Sequence, residues 1–123
     1  MKLLIAGSRG ISDYNLLELS LTLSNFEDIK EIVSGGANGV DQLGERFATE
    51  NNIKITQFIP NWAIGNMAGI VRNSQMSQYC DKSLIIWDGE SPGTKNMIYL
   101  MKLRKKPLFI YNTKTAKSEM HNY

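Results

Sequence analysis

Five short apolar runs, KLLIA (Lys2–Ala6), IKEIVS (Ile29–Ser34), IKITQFI (Ile53–Ile59), SLIIW (Ser83–Trp87) and PLFIY (Pro107–Tyr111), recur along the chain with amphipathic stretches between them. The first, fourth and fifth are apolar without interruption, as strands are when helices cover both faces of a sheet. Between the runs, apolar residues recur at helical spacing: Leu16, Leu19, Leu23 and Phe26; Val40, Leu43 and Phe47; Ile64 through Met76; Met97, Ile98 and Met101. The first of these stretches also holds Leu17, Leu19, Leu21 and Leu23 in strand-like alternation. Parallel strands need a crossover, however, and a helix supplies it. Strand and helix alternating throughout predict α/β architecture: a single Rossmann-like three-layer domain around a five-stranded parallel sheet.

A chain of 123 residues with 42% hydrophobic and 21% charged residues fits one globular domain with a single core. We expect the domain to span residues 1–111; residues 112–123 turn polar and aperiodic and read as a loose C-terminal tail. The formal charge of +2 is too slight to imply nucleic acid or a membrane, so any anion site must be local. The apolar start is interrupted by Gly7, Ser8 and Arg9, which reads as a first strand rather than a secretory leader, and no segment approaches membrane-spanning length. A lone cysteine, Cys80, excludes an internal disulfide and a zinc cluster and suits a reducing cytoplasm, the expected location.

Glycines cluster after the first strand (Gly7, Gly10), the second (Gly35, Gly36, Gly39) and the fourth (Gly89, Gly93), each time where a strand hands over to a helix. In a parallel sheet these turns lie on one edge. With strand order 3-2-1-4-5 they are neighbours around a switch point between strands 1 and 4, whereas order 2-1-3-4-5 separates two of them by about 10 Å. The first order is therefore predicted. Free amides and helix N-termini at such turns favour a phosphate or carboxylate, and glycine lets the ligand approach the backbone. Each turn has a capping reading as well: Asn38 as cap of the second helix with Asp41 in its first turn, and Ser91 as cap of the fourth ahead of Pro92.

The expected ligand contacts are Gly7, Ser8 and Arg9 in the first turn; Gly35, Gly36, Ala37 and Asp41 in the second; Arg72 and Asn73 on the third helix; and Asp88, Gly89, Ser91, Gly93 and Thr94 in the last. Arg72 shares a helical face with Gly65, Gly69 and Met76, where small residues clear space for a guanidinium to clamp a phosphate. Arg9 either joins it or pairs with Asp13. Asp41, Asp88 and Glu90 around an anion site need an offset, which sugar hydroxyls supply and a bound magnesium would supply otherwise. Trp62 and Trp87 are candidates for stacking on a base, or for core or interface. Cys80 has no histidine near it in sequence and is given no catalytic role.

The segments GSRG (Gly7–Gly10), VSGGANGVDQLGERFA (Val33–Ala48), NWAIGNMAGIVRNSQM (Asn61–Met76) and WDGESPGTKNM (Trp87–Met97) resemble the SLOG superfamily, above all its stand-alone YspA/YpsA-related branch, over Met1 to about Tyr111. The resemblance implies a Rossmann-like fold with a pocket for a nucleotide or nucleotide derivative. A homo-oligomer is the expected assembly. Relatives include the Lonely Guy phosphoribohydrolases and the DNA-processing protein DprA. The phosphoribohydrolase pattern of arginine, methionine and aspartate followed by PGGxGTxxE is matched at Arg72, Met76, Asp81, Gly93 and Thr94. It departs where Trp87, Asp88 and Gly89 replace Pro-Gly-Gly and where Met97 stands in place of the glutamate. A thioether cannot transfer a proton, so binding without an assured catalytic step is the first expectation. Glycosidic cleavage by Glu90 or Asp88 is the alternative, and DprA-like single-strand binding through SGGANGVD a third.

Overall fold

Residues at alternate positions of the central strands form two apolar faces, and each face binds its own pair of helices. Leu4, Ala6, Val33, Ile85 and Ile110 pack with Met76, Met97 and Met101, while Leu3, Ile5, Ile32, Leu84 and Ile86 pack with Leu17, Val40 and Leu43. Such period-two division is what a pleated strand buried on both sides requires. The computed structural model describes residues 1–123. In chain order the elements are β1 (Lys2–Gly7), α1 (Tyr14–Ser24), β2 (Glu31–Ser34), α2 (Val40–Glu50), β3 (Lys54–Gln57), a 3-10 segment (Trp62–Met67), α3 (Ala68–Tyr79), β4 (Lys82–Trp87), α4 (Pro92–Leu103), β5 (Leu108–Asn112) and β6 (Lys117–His121). Helices α1 and α2 cover one face and α3 and α4 the other, giving three layers. No helix is long and apolar enough to cross a membrane.

The sheet order is β3-β2-β1-β4-β5-β6. The first five strands are parallel in the expected order, with β1 hydrogen-bonded to β2 on one side and to β4 on the other. That arrangement sets the switch point between β1 and β4 and brings the turns after β1, β2 and β4 to one edge.

The expectation of five parallel strands and a loose tail is corrected at the C-terminal end. β6 pairs antiparallel with β5, in the register Leu108↔His121 to Asn112↔Lys117. The reversal is made by Asn112, whose Oδ1 accepts from the amides of Lys114 and Thr115, and by Ala116 in the left-handed region at φ 54°. This edge strand is wet on both faces and has Met120 as its one apolar residue, so it leaves no apolar period to read. Asp13 caps α1 by accepting from the Asn15 amide and makes no ion pair with Arg9. α1 stops at Ser24 ahead of Asn25 (φ 56°), which leaves Phe26 beyond the helix. The single helix expected over Ile64–Met76 is broken: Gly65 sits at φ 84°, ψ −148°, and the α-helix begins only at Ala68. Gly65 thus turns the chain instead of clearing a face for Arg72.

Candidate functional site

The turns converge on one residue. Ser8, 1% exposed, follows β1 and donates its amide to the Ile86 carbonyl of β4 at 3.1 Å. Its carbonyl accepts from the Val40 amide at the start of α2, and its Oγ accepts from the Asp88 amide at 3.0 Å. The Ser8 and Ser91 hydroxyls lie 3.0 Å apart, and Ser91 Oγ also donates to Asp88 Oδ2 at 2.8 Å. With one proton per hydroxyl, Ser8 is left to donate to Ser91. Ser8, expected as a ligand contact, fastens the three turns together and does not line the crevice.

Beside this fastening lies a crevice of about 420 Å³. Gly7, Arg9, Ala37 and Asp41 line it from the first two turns, Arg72 and Asn73 from α3, and Ser91, Gly93 and Thr94 from the start of α4. Gly35 and Gly36 line an adjoining lobe of about 300 Å³, which shares Arg9, Ala37 and Arg72 with the first. Sequence reasoning thus identified most of the wall. Ala6, Met76 and Met97, none of them expected as a ligand contact, add apolar surface to the same crevice. Met97, the residue where the hydrolase-like pattern has its glutamate, is 1% exposed.

Arg72 is held at three points. Its Nη1 donates to the Gly35 carbonyl at 2.8 Å and more distantly to that of Phe58, and its Nε donates to Asn73 Oδ1 at 3.1 Å. Nη2 makes no hydrogen bond within the chain. Burial and the nearby Arg9 lower its pKa, opposed by Asp41, but a guanidinium stays charged in any protein environment. Asn73 is itself committed, donating to the Gly93 carbonyl and to Asn96 Oδ1. It orients the guanidinium and ties α3 to the start of α4.

Asp41, 6% exposed, projects from the first turn of α2, and its Oδ2 accepts from the Ala37 amide at 3.1 Å. Burial pushes its carboxyl up to about 6, against the Ala37 bond and the charges of Arg72 and Arg9. The helix it opens is capped at Gly39 without a side-chain bond, and Asn38 instead accepts from Gln42. The turn ahead of it is shaped by Ser34, whose Oγ accepts from the Gly36 amide and donates to Glu45 Oε2.

The other acidic candidates do not reach the crevice. Asp88 accepts from the amides of Glu90 and Ser91 and from the Ser91 hydroxyl, and these bonds hold its carboxyl down to about 2. Gly89 approaches the Asn112 side chain. Glu90 is exposed and pairs with Lys114 of the β5–β6 turn. The trio of carboxylates expected around an anion is thus one carboxyl, Asp41, facing two guanidinium groups, and no three His, Cys, Asp or Glu side chains gather as metal ligands. Of the three carboxylates only Asp41 lines the crevice. Cys80 is buried in the core, and burial pushes its thiol up to about 11.

Trp87 donates its indole N–H to the Ser91 carbonyl and belongs to the turn. Trp62 is 62% exposed and lines the adjoining lobe with Ile59 and Pro60. Trp62 was named as a stacking candidate but the wall it belongs to was not, although its signal was present: in a parallel sheet the connection after β3 leaves from the same edge as the other three.

A family model described as "YspA, cpYpsA-related SLOG family" matches residues 1–65, which include β1, β2, β3 and the first two glycine turns. The chain belongs to this SLOG family. No curated protein and no solved structure matches it. Within this SLOG chain the matched segment supplies Arg9, Ala37 and Asp41, and the facing wall, from Arg72 to Thr94, comes from the half beyond it.

Proposed function

We propose that the crevice binds a phosphate-bearing nucleotide or nucleotide-derived ligand. The observation that carries this reading is Arg72: Nη1 and Nε are fixed by the chain, and Nη2 is left unpartnered in the wall shared by both lobes. A guanidinium fixed in advance loses little freedom when it clamps an anion. Arg9 adds a second positive charge to the same wall, and the N-terminus of α4 lies across from it. Membership of the SLOG family agrees with a nucleotide-related ligand.

The test is a thermal-shift panel of nucleoside mono- and diphosphates, nucleotide sugars and cyclic nucleotides against the wild-type chain and Arg72→Ala. Stabilisation of the wild type that Arg72→Ala abolishes supports the reading, and no shift with any member removes it.

A second reading, glycosidic cleavage, rests on Asp41 alone, since it is the carboxyl that lines the crevice and it stays partly protonated near pH 6. Chromatography of nucleoside monophosphates incubated with wild type and Asp41→Asn tests it. No free base at high protein concentration rejects it.

A further inference from the structure

The lobe beside the crevice has its own chemistry. Ile59, Pro60 and Trp62 give it an apolar wall from the β3–α3 connection, and Gly36, Ala37 and Asn38 give it a wall of peptide groups from the β2–α2 turn. Trp62 and Ile59 stand 62% and 61% exposed, two large apolar side chains left in water at the rim of a cavity. Their presentation is built. Asn61 Oδ1 accepts from the Ala63 amide at 3.2 Å and the Asn61 carbonyl from the Ile64 amide at 3.1 Å, fixing the turn that carries the indole.

We propose that this lobe seats the planar base of the ligand whose phosphate is held at Arg72, with Trp62 as the residue that selects a base-bearing ligand over a bare sugar phosphate. The inference rests on the phosphate-binding reading above. Three observations favour a base as occupant. The lobe is continuous with the crevice through Arg9, Ala37 and Arg72, so one molecule with its phosphate at Arg72 reaches both. At about 300 Å³ it is within the size range of small-molecule sites. A flat apolar wall facing peptide groups matches a heteroaromatic ring, which offers a π-face to stack and a polar edge to hydrogen-bond. The first crevice, lined by Met76 and Met97 and bearing Asp41, offers no aromatic ring.

The experiment compares ribose 5-phosphate with AMP, GMP, CMP and UMP by isothermal titration, using wild type, Trp62→Ala and Trp62→Phe. Expected for wild type is that at least one mononucleotide binds about tenfold or more tightly than ribose 5-phosphate, the scale of one base–aromatic stack. Trp62→Ala should erase that difference and leave ribose 5-phosphate affinity unchanged, while Trp62→Phe keeps most of it. Trp62 is exposed, so both variants should melt near the wild-type temperature. The proposal is overturned if ribose 5-phosphate binds wild type as tightly as every mononucleotide, or if Trp62→Ala weakens all probes alike. It is overturned too if Trp62→Ala changes only the oligomeric state in sedimentation, which would make the indole an interface between copies. Failure of the underlying reading is separate, since the ribose 5-phosphate arm would then be silent as well.

Discussion

The guanidinium of Arg72 lies against the backbone of Gly35: Nη1 donates to the Gly35 carbonyl at 2.8 Å, and a Cβ added at residue 35 would fall 2.5 Å from that nitrogen. The absence of a side chain in β2's exit turn is therefore what lets an arginine from α3 cross to it. Gly35→Ala should displace two side-chain ends rather than the backbone, the Arg72 guanidinium and the Asp41 carboxylate, whose Oδ2 would lie 2.9 Å from the same Cβ. We expect a small change in melting temperature and a tenfold or greater loss of nucleotide affinity, read by titration calorimetry on the same preparation.

Arg72 itself gives the larger effect. Arg72→Ala should weaken binding of phosphate-bearing nucleotides by about 100-fold, in the range of a charge-assisted pair removed from a half-buried site. Arg72→Lys should recover only part of this, because a point charge cannot hold the Gly35 carbonyl, Asn73 and a phosphate at once.

Asp41 predicts a dependence on pH. Its folded pKa of about 6 lies above the ordinary 3.8, so the native state holds this proton more tightly than the unfolded chain does. Ionisation of Asp41 then subtracts stability as pH rises from about 4 to above 6, by up to about 3 kcal/mol. Asp41→Asn removes that loss. Urea denaturation at pH 4.5 and 7.5 should show the variant gaining on wild type as pH rises, and a gap that stays constant would contradict the assignment.

Ser8→Ala should cost about 1–2 kcal/mol, because the part-buried Asp88 amide loses its acceptor and the Ser91 hydroxyl a donor. Hydrogen exchange should report this locally, with faster exchange at the turn after β4 and little change in the β2–β3 region.

Removing Lys117–His121 bares the outer edge of β5 from Leu108 to Asn112. Unpaired strand edges invite pairing with another chain. The shortened protein should melt lower and show concentration-dependent association in sedimentation, which a merely loose tail would not cause.

Much of this was legible from periodicity. KLLIA, SLIIW and PLFIY have the uninterrupted apolar character of doubly covered strands, and requiring three glycine turns to meet selected the observed order. The glycine turns and the SLOG resemblance also placed Arg72, Asp41 and the α4 start around one crevice. What stayed hidden depended on hydrogen bonds that no pattern displays. Ser8, Asp88 and Ser91 are polar residues in glycine turns whether they face a ligand or one another, and here they bond one another, Ser91 alone also lining the crevice. The β6 strand was invisible because a wet edge needs no apolar alternation, and the Gly65 break because a glycine amid helical spacing does not announce its φ.

The fastening at Ser8 also bears on how such a pocket can diversify. Three of its four sides meet at this one residue, the start of α2 through its carbonyl and the turn after β4 through its amide and hydroxyl, so a displacement of it would propagate to all of them at once. The stretch from Ile59 to Met67 hangs outside that joint, and altered preference for a guest can arise in it while the remainder of the cup keeps its shape.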